Sequence, residues 1–263
     1  MNVNLKETIK AFIIDMDGVL YRGENRLPGA RSFLQTLQRE DIPYVLLTNN
    51  STLTVAQYVD KLRRMGIEVP ANRIMTSAVA TALYLAGIAE AGTPVYMIGM
   101  DGLAEALTQQ GFVLTAEAPE YVVVGLDTGI TYHKLSTATR AIRAGAGFIG
   151  TNPDRTLPTE RGLEPGTGAL LAAIEAATDV QPRIIGKPEP GVFSTALKRL
   201  GTSPQETAML GDRLETDIAG GAAAGLCTIL VLTGAATRDD LANANVQPDL
   251  VFDNLEQLRA CWH

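Results

Sequence analysis

Residues 11–20 read AFIIDMDGVL, an apolar run that ends in two aspartates and a glycine. Similar runs recur along the chain, and runs rich in Val, Ile and Leu are typical of parallel strands buried on both faces. They are AFIID (11–15), YVLLTN (44–49), VYMIG (95–99), YVVVGL (121–126), GFIGTN (147–152), RIIGK (183–187), TAMLGD (207–212) and TILVLTG (228–234). Segments with helical periodicity separate them, and several end in glycine. This alternation predicts an α/β fold with a Rossmann-like, doubly wound parallel sheet.

Composition and charge narrow the class of protein. Of 263 residues, 46% are hydrophobic and 19% are charged, which is typical of a globular chain. The formal net charge of −7 disfavours nucleic acid and anionic membrane surfaces as partners. No apolar window approaches the ~18 residues of a membrane span, and no signal peptide is visible. We expect a soluble, cytoplasmic protein that binds neither nucleic acid nor membrane, with its single tryptophan, Trp262, at the surface.

Polar residues follow four of the predicted strands at their carboxyl ends, where open parallel sheets bind ligands. In chain order they are Asp15, Asp17 and Gly18; Thr48, Asn49 and Asn50; Lys187; and Asp212 with Asp217. Each group alone has an ordinary structural explanation, because aspartate and threonine cap helices, glycine permits turns and lysine is often solvated. The joint occurrence of all four is much more specific.

The two aspartates at positions 15 and 17 are costly to place beyond a buried strand. Two carboxylates at close range raise the pKa of one of them, unless a divalent metal compensates both. The hydroxyl of Thr48 and the amides behind it suit a phosphate or an oxyanion, as do free backbone N–H groups. The strand ends therefore indicate an anionic substrate, a metal, or both.

In their order along the chain, these groups resemble the four motifs of the haloacid dehalogenase-like phosphatase superfamily. The motifs stand here at 15–20, 48–51, 187–188 and 211–217. The flanking segments TNNS, GTNPD, PGTGAL, IIGKP and GDRLETDI resemble the branch that contains 4-nitrophenylphosphatase-type and NagD-type enzymes. The resemblance covers nearly the whole chain. It implies a Mg²⁺-dependent phosphatase that hydrolyses phosphomonoesters of small metabolites through an aspartyl-phosphate intermediate.

The resemblance also implies a role for each motif residue. Asp15 would be the nucleophile and a metal ligand, and Asp212 would complete the protein ligands. Asp17 would offer its backbone carbonyl to the metal and act as general acid and then general base. Asp217 would orient metal-bound water or hold Lys187. The phosphate oxygens would be bound by Thr48, Asn49, Asn50 and Lys187.

The spacing of the motifs indicates an inserted domain. The interval 15–48 has room for a loop, a helix and the next strand but not for an inserted cap, whereas the interval 48–187 is far longer than a core of this type requires. We expect core segments at 1–79 and 182–263 and an inserted α/β cap domain at 80–181. In the cap, the polar loop 151–162 is expected to read the leaving group through Asn152, Asp154 and Arg155.

Two other functions stay open at this stage. A mutase or other phosphotransferase of the same superfamily is disfavoured by the position of the cap. A catalytically silent phosphometabolite-binding protein is disfavoured because every motif residue is present. The segment GAGFIG (145–150) satisfies a dinucleotide-binding pattern, but it follows a helix and precedes a strand, the reverse of the required context.

The sequence does not identify the substrate, which stays open among sugar phosphates, nucleoside monophosphates, phosphoglycolate, glycerol phosphate and pyridoxal phosphate. The oligomeric state also stays open, and a homodimer is one of the possibilities.

Overall fold

The protein is described by a computed structural model covering residues 5–159 and 162–262. Within that part of the chain, the strands are β1 (Ala11–Ile14), β2 (Tyr21–Arg22), β3 (Asn25–Arg26), β4 (Tyr44–Thr48), β5 (Ile74–Thr76), β6 (Pro94–Ile98), β7 (Val113–Leu114), β8 (Tyr121–Val124), β9 (Gly147–Gly150), β10 (Thr156–Thr159), β11 (Gly162–Pro165), β12 (Arg183–Ile184), β13 (Thr207–Gly211), β14 (Cys227–Val231) and β15 (Leu250–Phe252).

The helices over the same described residues are α1 (Leu5–Thr8), α2 (Ala30–Arg39), α3 (Val55–Arg64), α4 (Ser77–Ala86), α5 (Asp101–Gln109), α6 (Tyr132–Arg143), α7 (Thr167–Thr178), α8 (Pro190–Leu200), α9 (Ala219–Ala223), α10 (Arg238–Leu241) and α11 (Leu255–Ala260). Single 3₁₀ turns lie at Ala71–Arg73 and Pro204–Glu206, and a π-helical turn lies at Leu214–Ile218. None of these helices is long and apolar enough to cross a membrane.

The first compact unit comprises Met1–Thr48, Tyr58–Met75 and Lys187–His263. Its sheet has the strand order β15-β14-β13-β1-β4-β5, and β1 pairs in parallel with both β13 and β4. All of β1 is buried, which explains why it is apolar throughout and does not alternate. The register aligns Ile14 with Leu210 on one side and with Leu46 on the other. The residues that follow these three strands therefore emerge at one edge of the sheet.

The second compact unit comprises Asn49–Gln57 and Thr76–Gly186. Its sheet has the order β12-β9-β8-β6-β7 with parallel pairing throughout. Helices α6 and α7 supply much of the apolar cluster on this sheet, which includes Val122, Val124, Ile142 and Ile174. The spacing of the motifs did not indicate that the short segment at 49–57 groups with this unit.

The α/β fold predicted from the sequence is confirmed, and every predicted apolar run coincides with a strand. The loop predicted at 151–162 differs in its second half, where β10 and β11 form an antiparallel hairpin. Both strands are short, and each contains a proline, a residue that is uncommon inside β-strands. The sequence pattern therefore predicted a loop here. Glu160 and Arg161, in the same predicted loop, lie outside the described residues.

The expectation that Trp262 lies at the surface is wrong. Trp262 is fully buried, its ring centre is 5.1 Å from that of Phe12, and its Nε1 donates to Glu40 at 3.2 Å. Because α11 contacts α2, Trp262, two residues after the end of α11, packs against Phe12 of β1. A sequence pattern shows that a residue follows a helix, but not what that helix packs against.

Candidate active site

Lys187 connects two buried aspartates in the first unit. Its Nζ donates to Oδ1 of Asp15 at 2.5 Å and to Oδ1 of Asp217 at 2.6 Å. Burial by itself would lower the pKa of Lys187, but the two carboxylates outweigh it and raise that pKa above its usual value. The amine therefore stays protonated, as a buried cation held by two carboxylates.

Asp217 anchors this arrangement. It lies on the π-helical turn, is completely buried, and accepts through Oδ2 from the backbone N–H groups of Asp212 and Arg213, each at 3.1 Å. A side chain at Gly211 would collide with the Asp217 carboxylate, which explains the glycine at the end of β13. With Oδ1 bound to Lys187 and Oδ2 bound to two amides, Asp217 acts as a support for its neighbours.

Asp212 has one carboxylate oxygen satisfied and one unsatisfied. Oδ2 accepts from the backbone N–H of Ala235 at 2.6 Å, whereas Oδ1 is buried without a hydrogen-bond partner among the described residues. Cβ atoms at Gly18 and Gly234 would collide with this carboxylate, and Gly18 has a φ of +82°, which favours glycine. Two loops therefore lie close to Asp212 and leave one oxygen for a ligand.

The cluster carries three carboxylates and one ammonium. One oxygen from each of Asp15, Asp212 and Asp217 lies within 4.8 Å of the other two. Burial raises the pKa of Asp15 well above its usual value; Lys187 lowers it, and the neighbouring aspartates add to the rise. Burial also raises the pKa of Asp212 to about 7, helped by Asp217 and opposed by the Ala235 N–H. This excess of buried negative charge and the unsatisfied Asp212 oxygen fit a divalent cation that prefers oxygen ligands, such as Mg²⁺.

Asp17 differs from the other aspartates because it is exposed. Its pKa is nevertheless raised, because surrounding atoms keep water from part of the carboxylate; Lys61 and Arg213 partly offset this rise. A carboxyl group that holds its proton to higher pH and still meets solvent suits proton exchange with a bound molecule. Lys61 also lies over the Tyr21 ring, 4.4 Å from its centre.

Thr48 ends β4 and is 4% exposed. It shares a side-chain hydrogen bond with Tyr58, and burial raises the pKa of Tyr58, so the phenol stays protonated. The structure therefore brings Asp15, Lys187, Asp212 and Asp217 into direct contact or close proximity, while Thr48 ends the strand next to β1.

The remaining predicted site residues belong to the second unit. Asn49 donates through Nδ2 to both oxygens of Asp154, at 3.3 and 3.2 Å. Asn152 is 3% exposed and donates to the main-chain oxygen of Asn49 at 2.7 Å. Asn50 accepts from the backbone N–H and the hydroxyl of Thr52, at 2.9 and 2.7 Å. Arg155 is exposed.

Sequence reasoning missed Gly234, Ala235 and Tyr58. Gly234 is the last residue of the predicted strand TILVLTG and Ala235 follows it, so their position at a strand end was a usable signal. Their contact with Asp212 depends on the pairing of β14 with β13, which the sequence does not display. Tyr58 lies within a helical pattern, where an aromatic residue ordinarily indicates a core position.

Comparison with known proteins gives consistent matches. Residues 12–113 match the family model described as haloacid dehalogenase-like hydrolase, and residues 184–258 match a second, HAD-hydrolase-like model. The acid sugar phosphatase of Staphylococcus aureus is 45% identical over 249 residues, which cover 94% of this chain and 96% of that protein.

Solved structures give similar matches. A 4-nitrophenylphosphatase from Thermotoga maritima has a TM-score of 0.94 at 38% identity, covering 99% of this chain and 100% of that one. The glycerol phosphate phosphatase of Mycobacterium tuberculosis, solved in complex with magnesium, has a TM-score of 0.90 at 32% identity. That match covers 97% of this chain and 78% of the other.

Proposed function

This chain belongs to the haloacid dehalogenase-like hydrolase family as one of its phosphatases, and we propose that it hydrolyses phosphomonoesters of small metabolites with Mg²⁺ through an aspartyl-phosphate intermediate. One observation carries the proposal. Lys187 holds one oxygen of the buried Asp15, and the neighbouring Asp212 has an oxygen with no hydrogen-bond partner among the described residues. This arrangement supports the proposal because it would supply a nucleophile, a cation for the phosphate and a ligand for the metal.

Asp15, Asp212 and the main-chain carbonyl of Asp17 would hold the Mg²⁺. When bound, the metal would offset the negative charge of the carboxylates and of the phosphate. Asp217 would not be a ligand in this arrangement, because its two oxygens already bind Lys187 and two backbone amides.

Asp15 would attack phosphorus with Oδ2, since Oδ1 is bound to Lys187. This attack forms a P–O bond between Asp15 and phosphorus, which gives an acyl phosphate. It breaks the P–O bond to the alcohol oxygen of the substrate, which leaves. Asp17 would protonate that oxygen as it leaves. Asp17 would then take a proton from a water molecule that attacks the phosphoryl group, which releases inorganic phosphate and regenerates Asp15.

Thr48, the Asn49 and Asn50 amides and Lys187 would bind the oxygens of the transferred phosphoryl group. Lys187 suits this role because its raised pKa keeps the charge that a phosphate requires. The inserted domain proposed at 80–181, which lies within the second unit, would act as the cap. Of the cap residues selected from the sequence, Arg155 is exposed and is the first candidate for an influence on substrate choice.

Sugar phosphates are the first substrates to test, because the relative in Staphylococcus aureus carries the name acid sugar phosphatase. Glycerol phosphate and 4-nitrophenyl phosphate follow from the names of the structural matches. A panel of phosphorylated metabolites, ranked by kcat/KM, tests the substrate class directly. Uniformly negligible release of phosphate from the panel and from 4-nitrophenyl phosphate would contradict the proposed function.

Removal of divalent metal is expected to abolish phosphatase activity. Protein treated with EDTA and freed of the chelator should not hydrolyse 4-nitrophenyl phosphate until Mg²⁺ is added. The Asp212→Asn variant should require at least about tenfold more Mg²⁺ for half-maximal activity, because it loses a charged ligand. Asp41→Asn, at an exposed aspartate outside the cluster, is the control. Full activity in metal-depleted wild type would contradict the prediction.

The pH dependence of kcat/KM should reveal the acid role of Asp17. The raised pKa keeps Asp17 protonated to higher pH, and protonation assists an alkoxide leaving group more than 4-nitrophenolate. We expect the ratio of kcat/KM for glycerol phosphate to that for 4-nitrophenyl phosphate to fall as pH rises through that pKa. Protonation steps that affect the hydrolysis of both substrates equally cancel in this ratio. Asp17→Asn should remove the dependence and lower glycerol phosphate hydrolysis by about 10²- to 10⁴-fold; a wild-type ratio independent of pH would exclude the role.

A further inference from the structure

The chain passes between its two compact units at 48–49, 57–58, 75–76 and 186–187. Two of these passages adjoin residues of the proposed phosphate site, since Asn49 follows Thr48 directly and Gly186 precedes Lys187 directly. A network that fixes Asn49 and Gly186 would therefore restrain the peptide groups that carry Thr48 and Lys187.

Asn49 is held at both its main chain and its side chain. Its carbonyl oxygen accepts from Ser77 Oγ at 2.5 Å and from Asn152 Nδ2 at 2.7 Å. Its Nδ2 donates to Asp154 Oδ1 at 3.3 Å and to Oδ2 at 3.2 Å. These four contacts come from two distant stretches of the chain, and all lie within the second unit.

Asp154 is itself anchored. Its backbone N–H donates to Asn152 Oδ1 at 3.1 Å, and its carbonyl accepts from the N–H of Gly168 in the first turn of α7 at 2.8 Å. Cβ atoms at Gly166 and Gly168 would collide with the backbone of Pro153 and Asp154, so this loop packs tightly on the start of the helix. The Asp154 carboxylate is therefore presented to Asn49 from a fixed backbone.

Gly186 joins the same network. Its N–H donates to the carbonyl oxygen of Thr151 at 2.9 Å. A Cβ at this position would collide with the Thr151 carbonyl and with Asn49 Oδ1. The residues before Lys187 and after Thr48 thus contact one group of side chains, the Asn49 network, which consists of Asn49, Ser77, Thr151, Asn152, Asp154 and Gly186.

We propose that Asp154 and Asn152 are positioning residues for phosphoryl transfer, which act through Asn49 to hold the peptide that carries Thr48. The proposal rests on the proposed function, in which Thr48 and Lys187 bind the phosphoryl group. Small displacements of such groups are costly, because a shift of about 1 Å at a reacting centre can lower the rate by about 10²-fold.

The contacts of Asn152 support the positioning role better than the recognition of the leaving group that the sequence predicts. Its Nδ2 donates to Asn49 O at 2.7 Å and to the hydroxyls of Thr151 and Thr167, each at 3.2 Å. Its Oδ1 accepts from Asp154. The Asn152 side chain is thus occupied within the protein and 3% exposed.

The two roles predict different kinetics. Loss of a positioning residue lowers transition-state stabilisation for every phosphomonoester by the same factor, whereas loss of a contact to the leaving group changes the order of preference. We expect Asp154→Ala to lower kcat/KM about tenfold for 4-nitrophenyl phosphate, glycerol phosphate and a sugar phosphate alike. Inhibition by orthovanadate, a mimic of the transferred phosphoryl group, should weaken by a similar factor.

Three variants sharpen the test. Asp154→Asn keeps an oxygen that accepts from Asn49 and should stay within about threefold of wild type. Asp154→Ala should add less than about twofold in an Asn49→Ala background, because the effect passes through Asn49. Ser77→Ala removes only the hydroxyl donated to Asn49 O and should give the same uniform pattern at smaller amplitude. Asp101→Ala, at an exposed aspartate in the same unit, is the control for loss of one carboxylate.

A changed order among the three substrates, or additive effects in the Asn49→Ala background, would overturn the proposal. So would Asp154→Ala kinetics equal to those of Asp101→Ala. Thermal unfolding of each variant separates these results from a loss of folded protein, and Ser77→Ala provides the comparison if Asp154→Ala does not fold. If wild type itself released no phosphate from any substrate, the proposed function would fail; an active wild type with an unaffected Asp154→Ala would reject the positioning role alone.

Discussion

Asp15→Asn should lower kcat for 4-nitrophenyl phosphate by at least about 10³-fold, because the reaction loses its nucleophile. The amide is not a nucleophile, yet it matches the carboxylate in size and can still accept from Lys187. The variant should therefore remain folded and retain part of its affinity for Mg²⁺, measured as metal-dependent thermal stabilisation.

The covalent intermediate provides an independent measurement. Wild type and Asp17→Asn, quenched during turnover of 4-nitrophenyl phosphate, should carry a hydroxylamine-sensitive phosphoryl group on Asp15, and Asp15→Asn should carry none. Asp17→Asn should accumulate more of it, because the water that attacks the intermediate lacks its base. Wild-type activity in purified Asp15→Asn would reject the nucleophile assignment, and a phosphoryl group on another residue would relocate it.

Lys187→Met should abolish activity and, without metal, destabilise the fold by about 3–5 kcal/mol at neutral pH. That is the range expected when one partner of a buried ion pair is removed. Lys187 is 2% exposed and binds two carboxylates, so methionine fills the volume but leaves two buried carboxylates without their cationic partner. Urea unfolding in the presence of EDTA measures this loss of stability.

The destabilisation should depend on pH with a definite sign. Burial and neighbouring aspartates raise the pKa of Asp15 in the folded state even when Lys187 is present, and removal of the ammonium raises it further. The folded variant then binds more protons than the unfolded chain, so its stability falls as pH rises from the unfolded pKa through the folded one. We expect the difference in free energy of unfolding between Lys187→Met and wild type to be smallest near pH 5 and largest near pH 8. Asp217→Asn in the Lys187→Met background should restore part of the stability, and equal stability of Lys187→Met and wild type at every pH would contradict the prediction.

Several features of the site follow from local sequence. An apolar run followed by aspartates, as at Asp15 and Asp212, indicates a buried strand with polar groups at its end. Parallel sheets bind ligands at that edge. The candidate residues could therefore be selected without knowledge of which strands are neighbours.

The contacts that surround these residues could not be predicted from local sequence. The carboxylate of Asp212 lies between Gly18 and Gly234, which come from two loops distant in the chain, and no local pattern links them. Asn152 illustrates the same limit: a polar residue after a strand predicts contact with a substrate, whereas its amide is hydrogen-bonded to Asn49 and two threonines.

The sequence by itself determined the α/β class, the apolar strands and the residue types at their carboxyl ends, because hydrophobic periodicity and strand-end polarity are local properties. Only the tertiary structure decided that β1 lies between β13 and β4 and that Lys187 joins Asp15 to Asp217. It also decided that one oxygen of Asp212 lacks a hydrogen-bond partner among the described residues. Strand pairing and the burial of charge depend on residues far apart in the chain, and their energies are not a property of any one segment.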